Sequence, residues 1–272
     1  MGEESQEKVI SITKSNQLST ASYYLTSEEQ RLILACIGQI NPMDPNGVDP
    51  LRKYIVTAED YKELFKLDKN VNVYQILKKV SKRLFNRSLW IDIEKEMVES
   101  RWVSQIGYAK NEGYVSLVFS PIIVNHLCHL KKNFNSYRIL NVQKMESIYG
   151  FRIYELLMSL EGTNHKRTFK IDELKAMLGI ENKYKLFGDF QKKVLFTAKK
   201  DINSYSDLYF DWEVIKEKRK VVAVRLKFED KPESEKPQNK TNSFQTKKES
   251  DKEMIEEIDK DIKEWFNSDV GF

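Results

Sequence analysis

The sequence predicts an α+β fold with two tandem domains, each built from a helix, a strand, two further helices and a hairpin. The first observation is an internal repeat, in which four apolar positions return after a shift of 113 residues. The pairs are Tyr61 with Leu174, Leu64 with Met177, Phe65 with Leu178, and Leu67 with Ile180. The second observation is that helical and strand-like apolar patterns occur in the same order around these four positions in each half of the chain. This repeat is too long for a solenoid unit, so it indicates two copies of one domain.

The domain boundaries follow from composition and from the repeat. Residues 23–132 form the first copy and residues 133–230 the second, joined near 131–144. Residues 1–22 are predicted to be a flexible arm, in which Val9, Ile10 and Ile12 could add an edge strand. Residues 231–272 are predicted to be a disordered polar linker followed by an amphipathic helix, which either docks on the body or binds a partner. The helix is predicted from the spacing of Met254, Ile255, Ile258, Ile262, Trp265 and Phe266.

Each copy contains the predicted elements in the same order. The first helix begins near Thr26, where residues 26–29 supply capping groups. The first copy continues with a strand at 53–56, helices at 57–67 and 71–87, strands at 88–93, 101–109 and 114–119, and a closing helix at 121–130. The second copy has a helix at 145–160, a strand at 167–170 and a helix at 171–178, which Gly179 ends.

One stretch of the second copy combines a helix with a strongly basic hairpin. From Leu186 to Asn203, apolar residues recur at helical spacing and lysines fall on the opposite side. The apolar positions are Phe187, Phe190, Val194, Ala198 and Ile202. Segments 207–215 and 221–228 are predicted strands, and the residues between them, 216–220, read KEKRK. Core packing gives no reason for so many cations at a turn. A helix with a charged hairpin is instead how a winged-helix module contacts duplex DNA.

The charge distribution supports a polyanionic partner. Residues 1–130 have 16 basic and 16 acidic side chains, residues 131–230 have 21 and 14, and residues 231–272 have 8 and 11. The net charges are therefore 0, +7 and −3, which total the +4 of the whole chain. A basic surplus confined to one domain is typical of a nucleic-acid-binding surface.

Several other functional classes find little support in the sequence. No apolar run is long enough for a membrane span, and the N-terminus lacks an apolar signal core, so we expect a cytoplasmic protein. Cys36 and Cys128 are predicted to be buried free thiols. His126, Cys128 and His129 lie close together, but no second ligand pair accompanies them, so we expect neither a metal nor another cofactor. The sequence also contains no phosphate-binding glycine loop and no nucleophile motif, so we do not expect an enzyme.

Four segments resemble the iteron-binding initiator proteins of theta-replicating plasmids, which consist of two winged-helix domains. They are SNQLSTASYYLTSEEQRLILACIGQI at 15–40, NSYRILNVQKMESIYGFRIYELL at 135–157, FKIDELKAMLGI at 169–180, and the basic helix with its hairpin. The segment at 135–157 is the most specific, and the resemblance covers about residues 9–230.

The resemblance implies a division of labour between the two domains. The second winged helix would bind directly repeated origin sequences, called iterons. The first would make secondary DNA contacts in the monomer and mediate dimerisation in a form that represses the initiator's own gene. Implied partners are double-stranded DNA, a second copy of the chain, and the host initiator, helicase and chaperones.

The candidate DNA-binding residues lie mainly in the second domain. Lys192 and Lys193 are placed to reach bases or flanking phosphates, and Lys199 and Lys200 to reach phosphate. The remaining candidates are Lys185 before the helix, Lys216, Lys218, Arg219 and Lys220 at the hairpin tip, Arg138, and the row Lys78, Lys79, Lys82 and Arg83 in the first domain. Arg152 is instead predicted to be structural and to pair with Glu155.

Three alternatives remain open at this point. A dedicated transcriptional repressor would use the same DNA-binding surface. A nicking endonuclease of the rolling-circle type is disfavoured, because the sequence has no His-x-His motif. An interaction protein would act through the acidic C-terminal helix.

Overall fold

The computed structural model describes residues 10–44, 47–68, 70–109, 112–128, 133–160 and 165–238. The described residues form one compact unit that mixes helices and antiparallel strands, which confirms the predicted α+β class. The predicted C-terminal amphipathic helix lies outside the described residues, as does most of the linker before it. Within the described residues, no helix has both the length and the apolar character that a membrane span requires.

The first domain packs three helices against a three-stranded sheet, with an additional hairpin beside them. Its elements are α2 Ser27–Ile37, β2 Tyr54–Thr57, α3 Ala58–Leu64, α4 Val73–Phe85, β3 Ser88–Ile93, β4 Glu96–Arg101, β5 Val103–Tyr108, β6 Tyr114–Phe119 and α5 Pro121–Val124. The sheet has the order β2–β6–β5, and β3 pairs with β4. Helix α2 begins at the predicted place, and the predicted capping groups form a capping box in which the Thr26 and Glu29 side chains each accept a hydrogen bond from the other residue's backbone N–H.

The second domain repeats this plan without the additional hairpin. Its elements are α6 Ile148–Met158, β8 Lys166–Lys170, α7 Ile171–Met177, α8 Phe187–Phe190, a π-helical turn Gln191–Leu195, α9 Phe196–Tyr205, β9 Leu208–Glu217 and β10 Lys220–Asp230. Its sheet has the order β8–β10–β9, so the last strand is central, as it is in the first domain. The internal repeat predicted from the sequence is therefore present in the fold. Its paired positions Tyr61 and Leu174 are both buried, as are Phe65 and Leu178.

Some predicted boundaries were wrong. Strand β4 was not predicted, because its sequence EMVESR is almost entirely polar and only pairing with β3 makes it a strand. The closing helix predicted at 121–130 ends at Val124 and continues as turns. The first residues of the tail are also structured, because the Lys231 ammonium donates hydrogen bonds to the carbonyl oxygens of Asn203 and Ser206.

The prediction of a flexible arm over residues 1–22 is wrong from Ser11 onward, whereas the possible edge strand around Ile12 is confirmed. Strand β1 Ser11–Ser15 pairs antiparallel with β7 Phe134–Arg138, and helix α1 Asn16–Thr20 follows with Ser15 as its N-cap. The segment is ordered because Ile12 and Leu18 are fully buried in the core. The described part of the predicted joint, from residue 133, correspondingly contains strand β7 of this two-stranded sheet and a short 3₁₀ turn at Ile139–Asn141.

A buried polar cluster around Glu155 connects the N-terminal segment to both domains. The Glu155 carboxylate accepts hydrogen bonds from Lys14, from Gln30 of α2 at 2.8 Å, and from Tyr137 at 2.9 Å. Burial alone would raise the pKa of Glu155, but Lys14 and Arg152 hold this pKa below its usual value. Because one carboxylate is shared by β1, α2, α6 and β7, this cluster orients the two domains relative to each other.

Arg152 has the structural role that the sequence predicted. Its guanidinium forms an ion pair with Glu155 at 3.0 Å and contacts Tyr23. It also donates to the carbonyl oxygens of Ala21 at 2.9 Å and Met177 at 3.0 Å. Arg152 is fully buried, so it is unable to contact DNA without unfolding of the surrounding residues.

Candidate nucleic-acid interface

The basic helix, residues 187–205, consists of α8, the π-helical turn and α9 in direct succession. Leu186 is its N-cap residue, so the helix begins one residue after the predicted start and ends two residues beyond Asn203. Phe190, Val194, Ala198 and Ile202 are fully buried, as their spacing predicted. The helix therefore has one side in the core and leaves the opposite side to solvent.

A close crossing with α6 fixes the orientation of the basic helix. The Asp201 carboxylate accepts hydrogen bonds from the backbone N–H groups of Glu146 at 3.1 Å and Ser147 at 2.6 Å, at the start of α6. A Cβ atom at Gly150 would lie 2.7 Å from the Asp201 side chain, so only glycine permits this approach. The exposed face of the helix is consequently held rigidly by the domain beneath it.

The lysines on the exposed face of the basic helix differ in whether they form an ion pair with a carboxylate. Lys192, Lys193 and Lys200 are exposed, and none of them forms an ion pair with a described residue. Lys193 lies with its ammonium 5.7 Å from the centre of the Tyr184 ring. Lys199 is different, because its ammonium forms an ion pair with Asp211 of β9 at 2.8 Å. The pair leaves three of the four predicted helix lysines as uncompensated charges.

The hairpin formed by β9 and β10 has a tighter tip than the sequence predicted. The strands extend through Lys216 and Lys220, which leaves a turn of only Lys218 and Arg219. The extension arises because Lys220 pairs with Glu217 in the ladder, and Lys218 adopts a positive φ of 54° to close the turn. All four cations, Lys216, Lys218, Arg219 and Lys220, are exposed.

The base of the same hairpin is neutralised. Glu213 forms ion pairs with Arg225 at 3.1 Å and with Lys227. These contacts hold the pKa of Glu213 below its usual value, so the carboxylate stays charged at neutral pH. Positive charge without a described ion-pair partner is thus concentrated at the tip of the hairpin and on the basic helix.

The cationic row of the first domain lies on α4 and is largely engaged in other contacts. The Lys78 ammonium lies 5.6 Å from the centre of the Tyr74 ring and 5.7 Å from that of Tyr108. Arg83 forms ion pairs with Glu28 at 3.6 Å and Glu29 at 3.5 Å. Of the four predicted residues, Lys79 and Lys82 are exposed without an ion-pair partner among the described residues.

Two predicted site residues lie outside the helix and the hairpin. Lys185 is exposed in the loop immediately before the basic helix. Arg138 lies on β7, partly buried, opposite Ser11 of β1. Its Nε atom is buried without a described hydrogen-bond partner. The structure therefore groups Lys185 with the basic helix and places Arg138 in the sheet that holds the N-terminal segment.

The metal-site interpretation can be examined for two of its three residues, because His129 lies outside the described part. His126 is buried, and its Nδ1 atom is 2.8 Å from the Ser15 hydroxyl, beside the cap of α1. Burial lowers the pKa of His126, which favours the neutral ring. Among the described residues, no three or more His, Cys, Asp or Glu side chains are grouped so that they could hold a metal ion.

Sequence reasoning missed two features of this surface. The first is the Lys199–Asp211 ion pair, because the partner lies on a strand whose register the sequence does not reveal. The second is Phe196, which stays 54% exposed on the basic helix. Its spacing from the surrounding lysines is a signal that could have identified it.

Family comparisons agree with this architecture. The family described as Initiator Replication protein, WH1, matches residues 11–158, and the one described as Initiator Rep protein, WH2, matches residues 170–228. The chain belongs to the initiator replication protein family. The first match covers the first domain together with β1, β7 and α6, and the second match covers the second domain from Lys170 at the end of β8 to Phe228 in β10. The predicted fold of two winged-helix domains and the family resemblance are both confirmed.

Individual relatives show how far the similarity extends. A replication initiation protein of Escherichia coli is 33% identical over 203 residues, which cover 72% of this chain and 63% of the relative. The matched region thus spans less than two thirds of that relative's length. The PI protein of Escherichia coli is 24% identical, over 82% of this chain and 83% of its own. A solved structure of Pi initiator protein in complex with iteron DNA shares the fold, with a TM-score of 0.67 at 21% sequence identity. The structural match covers 81% of this chain and 97% of that chain.

Proposed function

We propose that this protein initiates plasmid replication by binding directly repeated sites in duplex DNA through its second winged-helix domain. The basic helix would enter the major groove, and the hairpin tip would contact the flanking backbone. The observation that carries the proposal is the exposure of Lys192, Lys193 and Lys200 on one rigid helix face, where none of them has an ion-pair partner among the described residues. The solved relative bound to iteron DNA supports repeated sites as the target.

The proposed action is binding without catalysis. The protein would position the host initiator and helicase at the origin, with chaperones acting on its assembly state, while the host enzymes do the chemistry. Uncompensated cations at two separated places suit recognition of a continuous phosphate backbone. An interface of this kind gives affinity that falls steeply as the salt concentration rises.

We also propose that a dimer represses the protein's own gene, with the first domain providing the dimer contact. The β3–β4 hairpin occurs only in the first domain, and it exposes Trp90 at 45% and Met97 at 62%. Exposed apolar side chains on a strand pair favour self-association. Sedimentation equilibrium over a range of protein concentrations tests this proposal, and a purely monomeric protein at all concentrations would contradict it.

The DNA-binding proposal is tested with the full chain and duplexes selected from a random pool about two helical turns long. We expect the double substitution Lys192→Glu and Lys193→Glu to weaken binding to the enriched duplex about a hundredfold, since each lost contact is worth ~1–3 kcal/mol. The matched control is Lys66→Glu with Lys144→Glu, which reverses two exposed charges outside both cationic surfaces and outside the β3–β4 hairpin.

Two outcomes would count against the proposal. Equal weakening by the control pair would indicate a general charge effect rather than a specific surface. Full binding by the Lys192→Glu, Lys193→Glu variant would show that the basic helix does not contact DNA.

Supplying the protein in trans to a plasmid that carries only the origin separates an initiator from a dedicated repressor, because only an initiator sustains replication.

A further inference from the structure

Phe196 occupies the middle of the cationic face of the basic helix. On a helix, residues three and four positions apart are neighbours, so Phe196 is surrounded by Lys192 and Lys193 on one turn and by Lys199 and Lys200 on the next. More than half of its surface, 54%, is exposed. A large aromatic ring is therefore presented at the centre of a surface that is otherwise polar and basic.

The ring is oriented by a contact from the hairpin. Phe196 packs edge-on against Trp212 of β9, with ring centroids 4.9 Å apart and an interplanar angle of 84°. Trp212 is in turn packed against Phe210, and the Lys199 ammonium lies 5.6 Å from the Trp212 ring centre. Contacts on one edge hold the Phe196 ring while the rest of it remains accessible, which suits a recognition side chain that must be preorganised.

The fold itself does not require an aromatic residue at this position. Matching the buried positions of the two domains in order aligns Val80 with Val194 and Leu84 with Ala198. The same alignment places Lys82 of α4 at the position of Phe196. Lys82 is exposed, so the corresponding helix of the first domain is stable with a polar side chain there. The helix therefore does not require an aromatic ring at this position, and packing against Trp212 involves only part of the Phe196 surface.

In a helix docked in the major groove, the residue at the middle of the exposed face reaches deepest, while its neighbours contact the groove walls. The groove floor displays hydrogen-bonding groups and one apolar group, the C5-methyl of thymine, which Phe can contact. We propose that Phe196 recognises the C5-methyl group of a thymine in the target site, while the surrounding lysines bind phosphate. This inference rests on the proposed DNA-binding function and adds a determinant of sequence specificity.

The test replaces each thymine of the selected duplex, one at a time, with deoxyuridine, which pairs identically but lacks the methyl group. For the unsubstituted protein, we expect the dissociation constant to rise about fourfold at one or two positions, from ~0.8 kcal/mol per buried methyl. Phe196→Ala should bind the thymine duplex correspondingly less tightly and should show no response to deoxyuridine at those positions. Phe196→Gln retains the length of the side chain and should also lose the response.

The control is Phe85→Ala, which removes an exposed aromatic side chain from the first domain and should leave the deoxyuridine response intact. The inference is overturned if no deoxyuridine position weakens binding by the unsubstituted protein. It is also overturned if Phe196→Ala remains as sensitive as the unsubstituted protein. If the unsubstituted protein enriched no duplex from the random pool, the proposed DNA binding itself would be overturned. The failure of the proposed function and the failure of this inference are therefore distinguishable.

Discussion

The two domains carry corresponding helices with similar numbers of basic residues, yet their electrostatic character differs. On α4, Arg83 is paired with carboxylates of α2 and Lys78 lies against two tyrosine rings. On the basic helix, Lys199 is the one lysine that forms an ion pair with another residue that the structure describes. The difference comes from the neighbouring helix: α2 supplies Glu28 and Glu29 beside α4. In the second domain, Asp201 of the basic helix is directed toward the start of α6.

The comparison teaches that the number of cations on a helix is a poor measure of its affinity for DNA. What matters is how many cations lack a carboxylate partner, because a paired cation has to give up that contact before it neutralises phosphate. By this measure we expect the second domain to be the main DNA-binding domain and the first to be secondary. The following predictions test this ranking, beginning with the largest expected effect.

The first prediction concerns the exposed cations of the first domain. We expect Lys79→Glu with Lys82→Glu to weaken binding about tenfold, against about a hundredfold for the Lys192→Glu, Lys193→Glu variant, because the first domain presents fewer cations without a described ion-pair partner and we expect it to contact the DNA less closely. The measurement is the dissociation constant at several salt concentrations. The slope of its logarithm against log salt should fall less for the first-domain variant. Equal losses in the two variants would refute the ranking.

Local patterns were sufficient to predict much of the fold. Apolar spacing located the buried side of the basic helix, and the offset of 113 residues revealed the repeated domain. The capping groups at residues 26–29 located the start of α2. The pairing of Arg152 with Glu155 was also predictable, because the two residues are three positions apart on one helix. Each of these features depends on residues that are close together in the chain.

The features that were missed depend on residues that are distant in the chain. Lys14 is part of a segment predicted to be flexible, but its partner Glu155 is 141 positions away. Strand β1 likewise pairs with β7, which the sequence places at a joint between domains. The neutralisation of Lys199 and Arg83 has the same origin, since both partners lie on other elements. The sequence therefore indicated where cations occur, and only the fold showed which of them are paired.

The second prediction removes a neutralising charge from the first domain. Glu29→Gln keeps the capping box, because Gln also serves at that position, but it deprives Arg83 and Arg87 of a carboxylate. We expect DNA affinity at low salt to rise about threefold, because Arg87 loses its described carboxylate partner and gains a phosphate contact, while Arg83 keeps Glu28. The free energy of unfolding should fall by ~1–3 kcal/mol, because a buried charge-assisted hydrogen bond is weakened.

A matched variant distinguishes the loss of the Glu29 carboxylate as an arginine partner from a general change in net charge. Glu96→Gln removes an exposed carboxylate from β4, away from α4 in sequence, and should leave both the affinity and the thermal midpoint nearly unchanged. Denaturant unfolding and DNA titration of both variants provide the comparison. Equal gains in affinity from the two substitutions would show that the α2 carboxylates do not specifically restrain α4.

The smallest expected effect comes from releasing the paired lysine of the second domain. The hydrogen bond from Lys199 holds the pKa of Asp211 below its usual value, so the pair is fully ionised at neutral pH. Asp211→Asn should therefore free Lys199 from its ion pair and raise DNA affinity about twofold at low salt. This gain in affinity should disappear at 1 M salt, where the Debye length is only ~3 Å and the added charge is screened. Stability should change little, because exposed ion pairs contribute ~0–1 kcal/mol.

Glu213→Gln is the matched control on the same strand, because it removes the carboxylate that pairs with Arg225 and Lys227 on β10. If Glu213→Gln raised the DNA affinity more than Asp211→Asn does, the DNA backbone would lie along the strands rather than along the basic helix.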